Sequence, residues 1–308
     1  VFGPNAERHS AVGGTARRPS ERKDPMSELI AGKVVRLSDR IRRVLAPNPG
    51  IMPGTGTNTY LVGQADLAVI DPGPDVPSHV RVILEAGAGK IRWILVTHTH
   101  PDHSTAARFL KEETGAKVLG WAARKTEIHD PHYAPDLVLG HHDVVQGVDY
   151  TLRAIHTPGH DANHLCYLLE EEKVLFTGDH VMQGSTVVIA PPNGDMQAYL
   201  ESLELLRTYG AAALAPGHGH MMPDPEGAIR ALIRHRLHRE AKVVRALKDL
   251  PLSTVKDLLP LVYDDVPSFL HPVAEYSLLA HLIKLEREKR GVKEGGRWRL
   301  LAPSPETV

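Results

Sequence analysis

The chain is 308 residues long, 42% apolar and 24% charged, with a formal net charge of −1. That length suffices for about two ordinary domains with buried cores, and the even charge balance excludes a global pull toward nucleic acid or an anionic membrane. The single cysteine, Cys166, excludes an intramolecular disulfide and an all-cysteine metal site and suits a reducing, cytoplasmic compartment, and no apolar run approaches the roughly 20 residues that span a bilayer.

Residues 1–25 are rich in Arg, Ser, Gly and Pro and show no apolar period. They are expected to be a disordered extension, with Met26 as a start. Short β-rich runs follow at 33–37, 41–45, 58–62 and 67–70, then a helix over 78–86 and a wholly apolar strand at 91–96. Helical spacing over 102–113 puts Ala106, Phe109 and Leu110 on one face. Residues 165–169 and 173–176 read as a hairpin around Glu170-Glu171-Glu172. An amphipathic helix over 196–209 and a short strand at 212–215 complete a first domain, expected over 26–225. Strands alternating with helices predict an α/β (α+β) fold of layered sheets with outer helices. The composition changes after Gly219. A long helix over 226–250, a helix over 254–262 with Ser253 as its N-cap, and a third over 272–290 precede a hairpin around Glu294-Gly295-Gly296. Three helices and a hairpin outline a winged helix, a second domain expected over 226–308.

The chain carries nineteen histidines, and the densest cluster is His98-Thr99-His100-Pro101-Asp102-His103. It stands where the apolar strand ends and a helix begins. His98 and His100 alternate along an extended segment, so both can point the same way. Asp102 and His103 open the helix and can face a neighbouring position, so one loop can feed two metal ions. Polar residues at a strand end are the bland alternative, but four ligand-type residues within six positions weigh against it. Imidazole with few oxygen donors favours zinc over magnesium or calcium, with iron or manganese as alternatives. Three more candidates each follow an apolar run: His160 in Thr157-Pro158-Gly159-His160, Asp179 in Phe176-Thr177-Gly178-Asp179, and His218 in Ala215-Pro216-Gly217-His218-Gly219. A glycine beside each lets the backbone turn sharply toward a shared centre.

This order of His-x-His-x-Asp-His, a later His, a later Asp and a last His resembles the metallo-β-lactamase superfamily, most closely its glyoxalase-II-type branch. From Gly56-Thr57-Asn58-Thr59-Tyr60-Leu61-Val62-Gly63 to the C-terminal helices the chain is similar to the β-lactamase-like protein 2 family. The resemblance implies a four-layer αββα sandwich with metals at one edge, followed by a small winged-helix domain. It implies two zinc ions, one held by His98, His100 and His160 and the other by Asp102, His103 and His218. Asp179 and a water-derived hydroxide would bridge them. Asp102 is then expected to be both ligand and catalytic residue, orienting the hydroxide. Asn58, His180 and Thr186 are the candidate substrate-binding residues.

The implied activity is that of a metal-dependent hydrolase. Asp179 stands where the best-known true β-lactamases carry Cys, and Gly219-His220 replaces the Glu-Tyr of classical glyoxalase II. His100 stands where di-iron relatives usually carry Glu. A small acyl ester or thioester is the favoured substrate, with single-stranded RNA or a lactone as alternatives. An iron-dependent sulfur oxygenase is a further alternative on the same fold. Arg230, Arg234, Arg236, Arg239, Lys242 and Arg245 on the long helix, and Lys284, Arg287, Lys289 and Arg290 on the last, could hold phosphates. They read equally as solvated faces paired with interleaved Glu240, Glu286 and Glu288, the reading preferred here. No aromatic platform of the single-strand binders is evident. The expected partner is a small molecule rather than a membrane, and a homodimer is left open.

Overall fold

The structure is a computed structural model and describes residues 29–51, 54–122 and 126–302; the expected extension over 1–25 lies outside these. Runs such as Leu67–Ile70 and Leu165–Leu169 are apolar at every position because they are buried at every position. A strand covered on both faces has no polar side to alternate with. Seven strands form the first sheet in chain order: β1 (Val34–Arg36), β2 (Ile41–Leu45), β3 (Asn58–Val62), β4 (Leu67–Ile70), β5 (Ile91–Leu95), β6 (Lys117–Gly120) and β7 (Leu137–Val138). Pairing is antiparallel from β1 to β4 and parallel from β4 to β7. The second sheet has five strands: β8 (Val144–Gln146), β9 (Thr151–His156), β10 (Leu165–Leu169), β11 (Val174–Gly178) and β12 (Ala213–Pro216). Its spatial order is β12-β11-β10-β9-β8.

Alternate residues sort onto opposite faces. Tyr60, Val62, Ala68 and Ile70 meet Tyr167, Leu169 and Phe176 between the sheets. Leu61 and Val69 face outward onto Val80 and Ile83 of α1 (Pro77–Gly87) and Leu110 of α3 (Ala107–Thr114). On the other side Cys166, Leu168 and Leu175 pack against Met196, Tyr199, Leu203 and Leu206 of α4 (Met196–Arg207). The result is helix, sheet, sheet, helix: the four-layer αββα sandwich. Two buried phenols tie the sheets together at the edge where the site lies. Tyr60 Oη donates to the carbonyl of Pro216 at 2.8 Å, and Tyr167 Oη to that of Val96 at 2.8 Å.

The C-terminal part begins with α5 (Pro225–Asp249), followed by α6 (Val255–Val262), α7 (His271–Arg287) and a hairpin of β13 (Gly291–Glu294) and β14 (Arg297–Leu300). Gly295 and Gly296 have φ of 56° and 81°, as a two-residue hairpin turn with positive φ at both centres requires. Val243, Leu247, Leu258, Leu278, Leu282 and Trp298 close a separate core. The N-terminal half of α5 contributes Ile229 and Leu232 to the α4 layer instead, so one long helix belongs to both cores. Among the described residues no helix is long and apolar enough to cross a membrane.

Local expectations change at two points. The helix read over 102–113 divides into α2 (Pro101–Ser104) and α3. The cause is Gly73: its N–H donates to His103 O at 3.2 Å and its carbonyl accepts from Ala106 N at 3.1 Å, replacing the helical ladder there. The N-cap of α6 is Thr254 rather than Ser253, with a reciprocal capping box to Asp257. Ser253 is unavailable because its backbone pairs with Trp298 on β14 at 2.9 and 2.7 Å.

Candidate metal centre

Four chain segments converge at one edge of the sandwich, each leaving the end of a strand. The loop after β5 carries His98, His100, Asp102 and His103. The loop after β9 carries His160, the turn after β11 carries Asp179, and the turn after β12 carries His218. The β11–β12 register is irregular between Phe176 and Gly178, which re-aims the following Asp179. Gly217 has no room for a side chain: a Cβ there would lie 2.7 Å from His103 Cε1 and 2.9 Å from Asp179 Oδ1.

All seven candidates meet, in two groups. His98, His100, His160 and Asp179 form one, Asp102, His103 and His218 the other, and within each the ligand-type atoms lie within 4.8 Å of one another. Asp179 faces both. Its Oδ2 is 3.8 Å from His160 Nε2 and 4.0 Å from His98 Nε2. Its Oδ1 is 3.2 Å from His218 Nε2 and 3.3 Å from His103 Nε2. Asp102 Oδ2 stands 3.4 Å from His218 Nε2 and 3.5 Å from His103 Nε2.

The outward hydrogen bonds decide which nitrogens carry protons. His160 Nδ1 donates to Val188 O at 2.8 Å and His218 Nδ1 to Gly56 O at 3.1 Å. A carbonyl can only accept, so each Nε2 presents a lone pair inward. His103 Nδ1 donates to Asp71 Oδ2 at 2.8 Å. Thr97 Oγ1 gives its proton to Asp71 Oδ2 at 2.8 Å and so accepts from His98 Nδ1 at 3.1 Å. Lone pairs therefore converge: His98 Nε2 and His160 Nε2 lie 2.9 and 3.1 Å from His100 Nδ1. His103 Nε2 and Asp179 Oδ1 are buried without a hydrogen-bond partner. Converging lone pairs and orphaned donor atoms of this kind fit a cation, and metal-ligating imidazoles are oriented by such outward bonds.

The electrostatics differ between the two groups. Burial, with His103 and His100 adding to it, holds His98 well below the usual imidazole value. Burial and then His160 push His100 down to about 3. Burial opposes ionisation of Asp179, yet His218 and His103 hold its carboxyl well below the usual range. Burial also opposes a charge on His103, but Asp102, Asp179 and Asp71 outweigh it and raise that imidazole well above its usual value. Imidazoles gathered around ionised carboxylates are the donor set of a divalent cation.

A cleft of ≈ 490 Å³ opens over the centre. Pro101, Asp102, Met182 and Thr186 form its floor and side, while Arg236 on α5, Tyr263 just beyond α6 and Ala274 on α7 roof it. Thr186, one of the three candidate substrate-binding residues, thus lines the cleft. The other two candidates do not reach the cleft. Asn58 is fully buried, and its Nδ2 donates to the carbonyls of Pro216 and Gly219 at 2.9 and 2.8 Å; it holds the turn that carries His218. His180 is also fully buried, its ring 4.7 Å from Tyr199 and 5.6 Å from His164. Burial, with His160 next, pushes it to about 3. Both residues adjoin segments that feed the site, and adjacency in sequence does not say on which side of the sheet a side chain falls.

Sequence reading missed four supporting residues. Asp71, with φ of 48° after β4, accepts from Thr97 N at 2.7 Å as well as from Thr97 Oγ1 and His103. Thr57 Oγ1 donates to Asp102 Oδ2 at 3.0 Å. His129 Nε2 and Asp161 Oδ2 are 2.6 Å apart, both buried, with His100 Nε2 at 3.7 Å from the same oxygen. His100, His129 and Asp161 could in isolation hold an ion, but His129 and Asp161 already satisfy each other and back His100 from outside. The signal for Asp71 was present, as Ile70-Asp71-Pro72-Gly73 ends an apolar strand just as the ligand segments do.

Comparison with known proteins agrees with this geometry. Residues 52–218 match the metallo-beta-lactamase superfamily, and residues 254–298 match the beta-lactamase associated winged helix domain. A beta-lactamase-like protein 2 homolog of Drosophila melanogaster is 32% identical over 274 residues, covering 83% of this chain and 90% of that protein. An atrochrysone carboxyl ACP thioesterase of Aspergillus chevalieri is 33% identical over 256 residues, covering 76% of each. The crystal structure of a metallo-beta-lactamase family protein from Thermus thermophilus shares the fold, with a TM-score of 0.72 at 22% identity over 86% of this chain and all of that one. With its His/Asp cluster at the strand ends and its C-terminal winged helix, the chain belongs to the metallo-β-lactamase superfamily and is similar there to the β-lactamase-like protein 2 homologues.

Proposed function

We propose that the chain is a hydrolase that binds two zinc ions and cleaves a small acyl thioester or ester. One observation carries the binuclear reading: Asp179 turns Oδ2 toward His98 and His160 and Oδ1 toward His103 and His218. Imidazole-rich donors with few carboxylate oxygens suit zinc. When bound, such a pair of ions supplies Lewis acidity and a nucleophile at neutral pH. The chain's own residues do the rest. Asp102 has the most exposed side chain of the seven, at 31%, and borders the cleft. Thr57 holds its Oδ2, which orients the carboxylate to accept a proton from attacking water. The roof from α5 to α7 narrows the access of bulk water to the reacting carbonyl.

Two further observations support an acyl substrate. The Aspergillus chevalieri relative is named an ACP thioesterase. The basic residues of α5 and α7 are largely engaged within the chain: Arg230 with Glu226, Arg239 with Asp265, Lys242 with Asp264, Lys284 with Glu240 and Arg287 with Asp195. Arg236 is buried. Few remain for a phosphate backbone. The test is a panel of N-acetylcysteamine thioesters and single-stranded RNA assayed side by side, with and without chelator. Chelator-sensitive thioester hydrolysis that falls at least about a hundredfold in His98→Ala is expected. Inert thioesters, with RNA cleavage that depends on His98, would overturn the reading.

A further inference from the structure

A second cavity, of ≈ 620 Å³, opens beside the first and shares His100, His160, Val188 and Val273 with it. A molecule reacting at the metal centre can therefore extend into either. The two spaces differ in character. The first carries Arg236 and Arg239 on its wall. The second is walled by Ile128, Ala190, Pro191, Pro192 and Tyr276. Its polar members are largely committed: Thr126 Oγ1 is 2.6 Å from His129 Nδ1 and accepts from Asn193 Nδ2 at 3.4 Å. Among the described residues no Lys or Arg lines it, and Glu127 does. An uncharged apolar chain suits the wall of Ile128, Ala190, Pro191, Pro192 and Tyr276.

The wall is held in place by the site. Val188 O accepts from the candidate ligand His160, and Ile189 N donates to Ser277 Oγ on α7 at 3.2 Å. Tyr276 and Ile128 are 52% and 48% exposed at the rim, apolar groups that an apolar ligand would cover.

We propose that this cavity is the acyl-chain pocket, and that the substrate is a thioester or ester with an apolar chain of medium length, its leaving group lying in the cleft beneath Arg236. The proposal rests on the hydrolase reading above and names its substrate class. It distinguishes this chain from an enzyme whose acyl group is short and hydroxylated, which such a wall would not recognise.

The test is a series of acetyl, butyryl, hexanoyl and octanoyl N-acetylcysteamine thioesters on metal-loaded protein. The value of kcat/KM is expected to rise about threefold per added methylene, mostly through KM. Ala190→Phe and Val273→Phe, both in the lining of the pocket, are expected to lower the octanoyl-to-acetyl ratio of kcat/KM at least about tenfold. A flat series, or a ratio unchanged in both variants, overturns the pocket assignment. Binding of octanamide followed by calorimetry tests the cavity apart from turnover. Saturable binding weakened in Ala190→Phe supports the pocket even if no thioester is hydrolysed, an outcome that would fail only the hydrolase reading. No binding together with a flat or absent series overturns the pocket itself.

Discussion

Asp71 shows how much of the centre is built behind it. One carboxylate accepts from Thr97 N, Thr97 Oγ1 and His103 Nδ1, so it fixes both the end of the β5 loop and one imidazole. Asp71→Ala is expected to weaken metal retention about 10–100-fold, read by competition with a chelator, while the fold persists. Unchanged retention would mean that His103 is positioned by its packing alone. Asp161, paired with His129 at 2.6 Å, stands behind His100 at 3.7 Å. The seven residues that meet at the centre were visible in sequence because their segments each follow a strand and most have a glycine or another ligand-type residue beside them. The supports were not, since each reaches its partner only across a long separation, 45 residues from Thr57 to Asp102 and 32 from Asp71 to His103. Asn58 and His180 were visible as residues but not as directions. Which side of a sheet a side chain takes follows from register with strands far away in sequence.

At the scale of elements, the turn through Gly217 leaves no space for a side chain. A methyl group there meets His103 and Asp179 at once. Gly217→Ala is expected to lose metal binding, measured as metal content, with little change in helical signal. The contact between α5 and α7 is electrostatic as well as apolar. Glu240, 5% exposed, accepts from Lys284 at 2.8 Å and from Arg290 at 2.6 Å. Burial alone would raise its pKa, but the nearby His281 ring and the bonds from Lys284 and Arg290 bring it down to about 2. A carboxyl depressed in the folded state stabilises fully above its unfolded value near 4.5 and loses that contribution as pH falls toward 2. Acid unfolding should therefore steepen in that window. Glu240→Gln should be less stable at neutral pH and flatter between those values, and equal slopes would show that the pair contributes nothing. The capping box of α6 gives a smaller, local effect: Thr254→Ala should cost about 1 kcal/mol by denaturant titration. The strands to which sequence reading gave no bounds, β6 to β9, include a two-residue and a three-residue strand, too short to show a period. β9 mixes Thr151, Arg153 and His156 among apolar residues because its face is only partly covered.

For the whole molecule, the sandwich and the winged helix are joined by one continuous helix rather than by a linker. α5 starts in the α4 layer, passes over the cleft with Arg236, and ends in the core around Trp298. That arrangement turns a basic C-terminal segment, which from its composition could have been a nucleic-acid surface, into the roof of a cleft whose cations are mostly paired within the chain. Layered sheets with outer helices were legible because wholly apolar strands alternate with amphipathic helices, whereas the αββα order came only with the family resemblance. The shared helix was not legible, since both of its halves carry the same period. The central claim is that one carboxylate, Asp179, joins two metal positions. It is tested most directly by metal analysis of the protein and of Asp179→Ala, each dialysed against zinc under identical conditions. The expected result is about two equivalents of zinc per chain for the unaltered protein and a loss at both positions in the variant. A single equivalent, or full retention without Asp179, would contradict it.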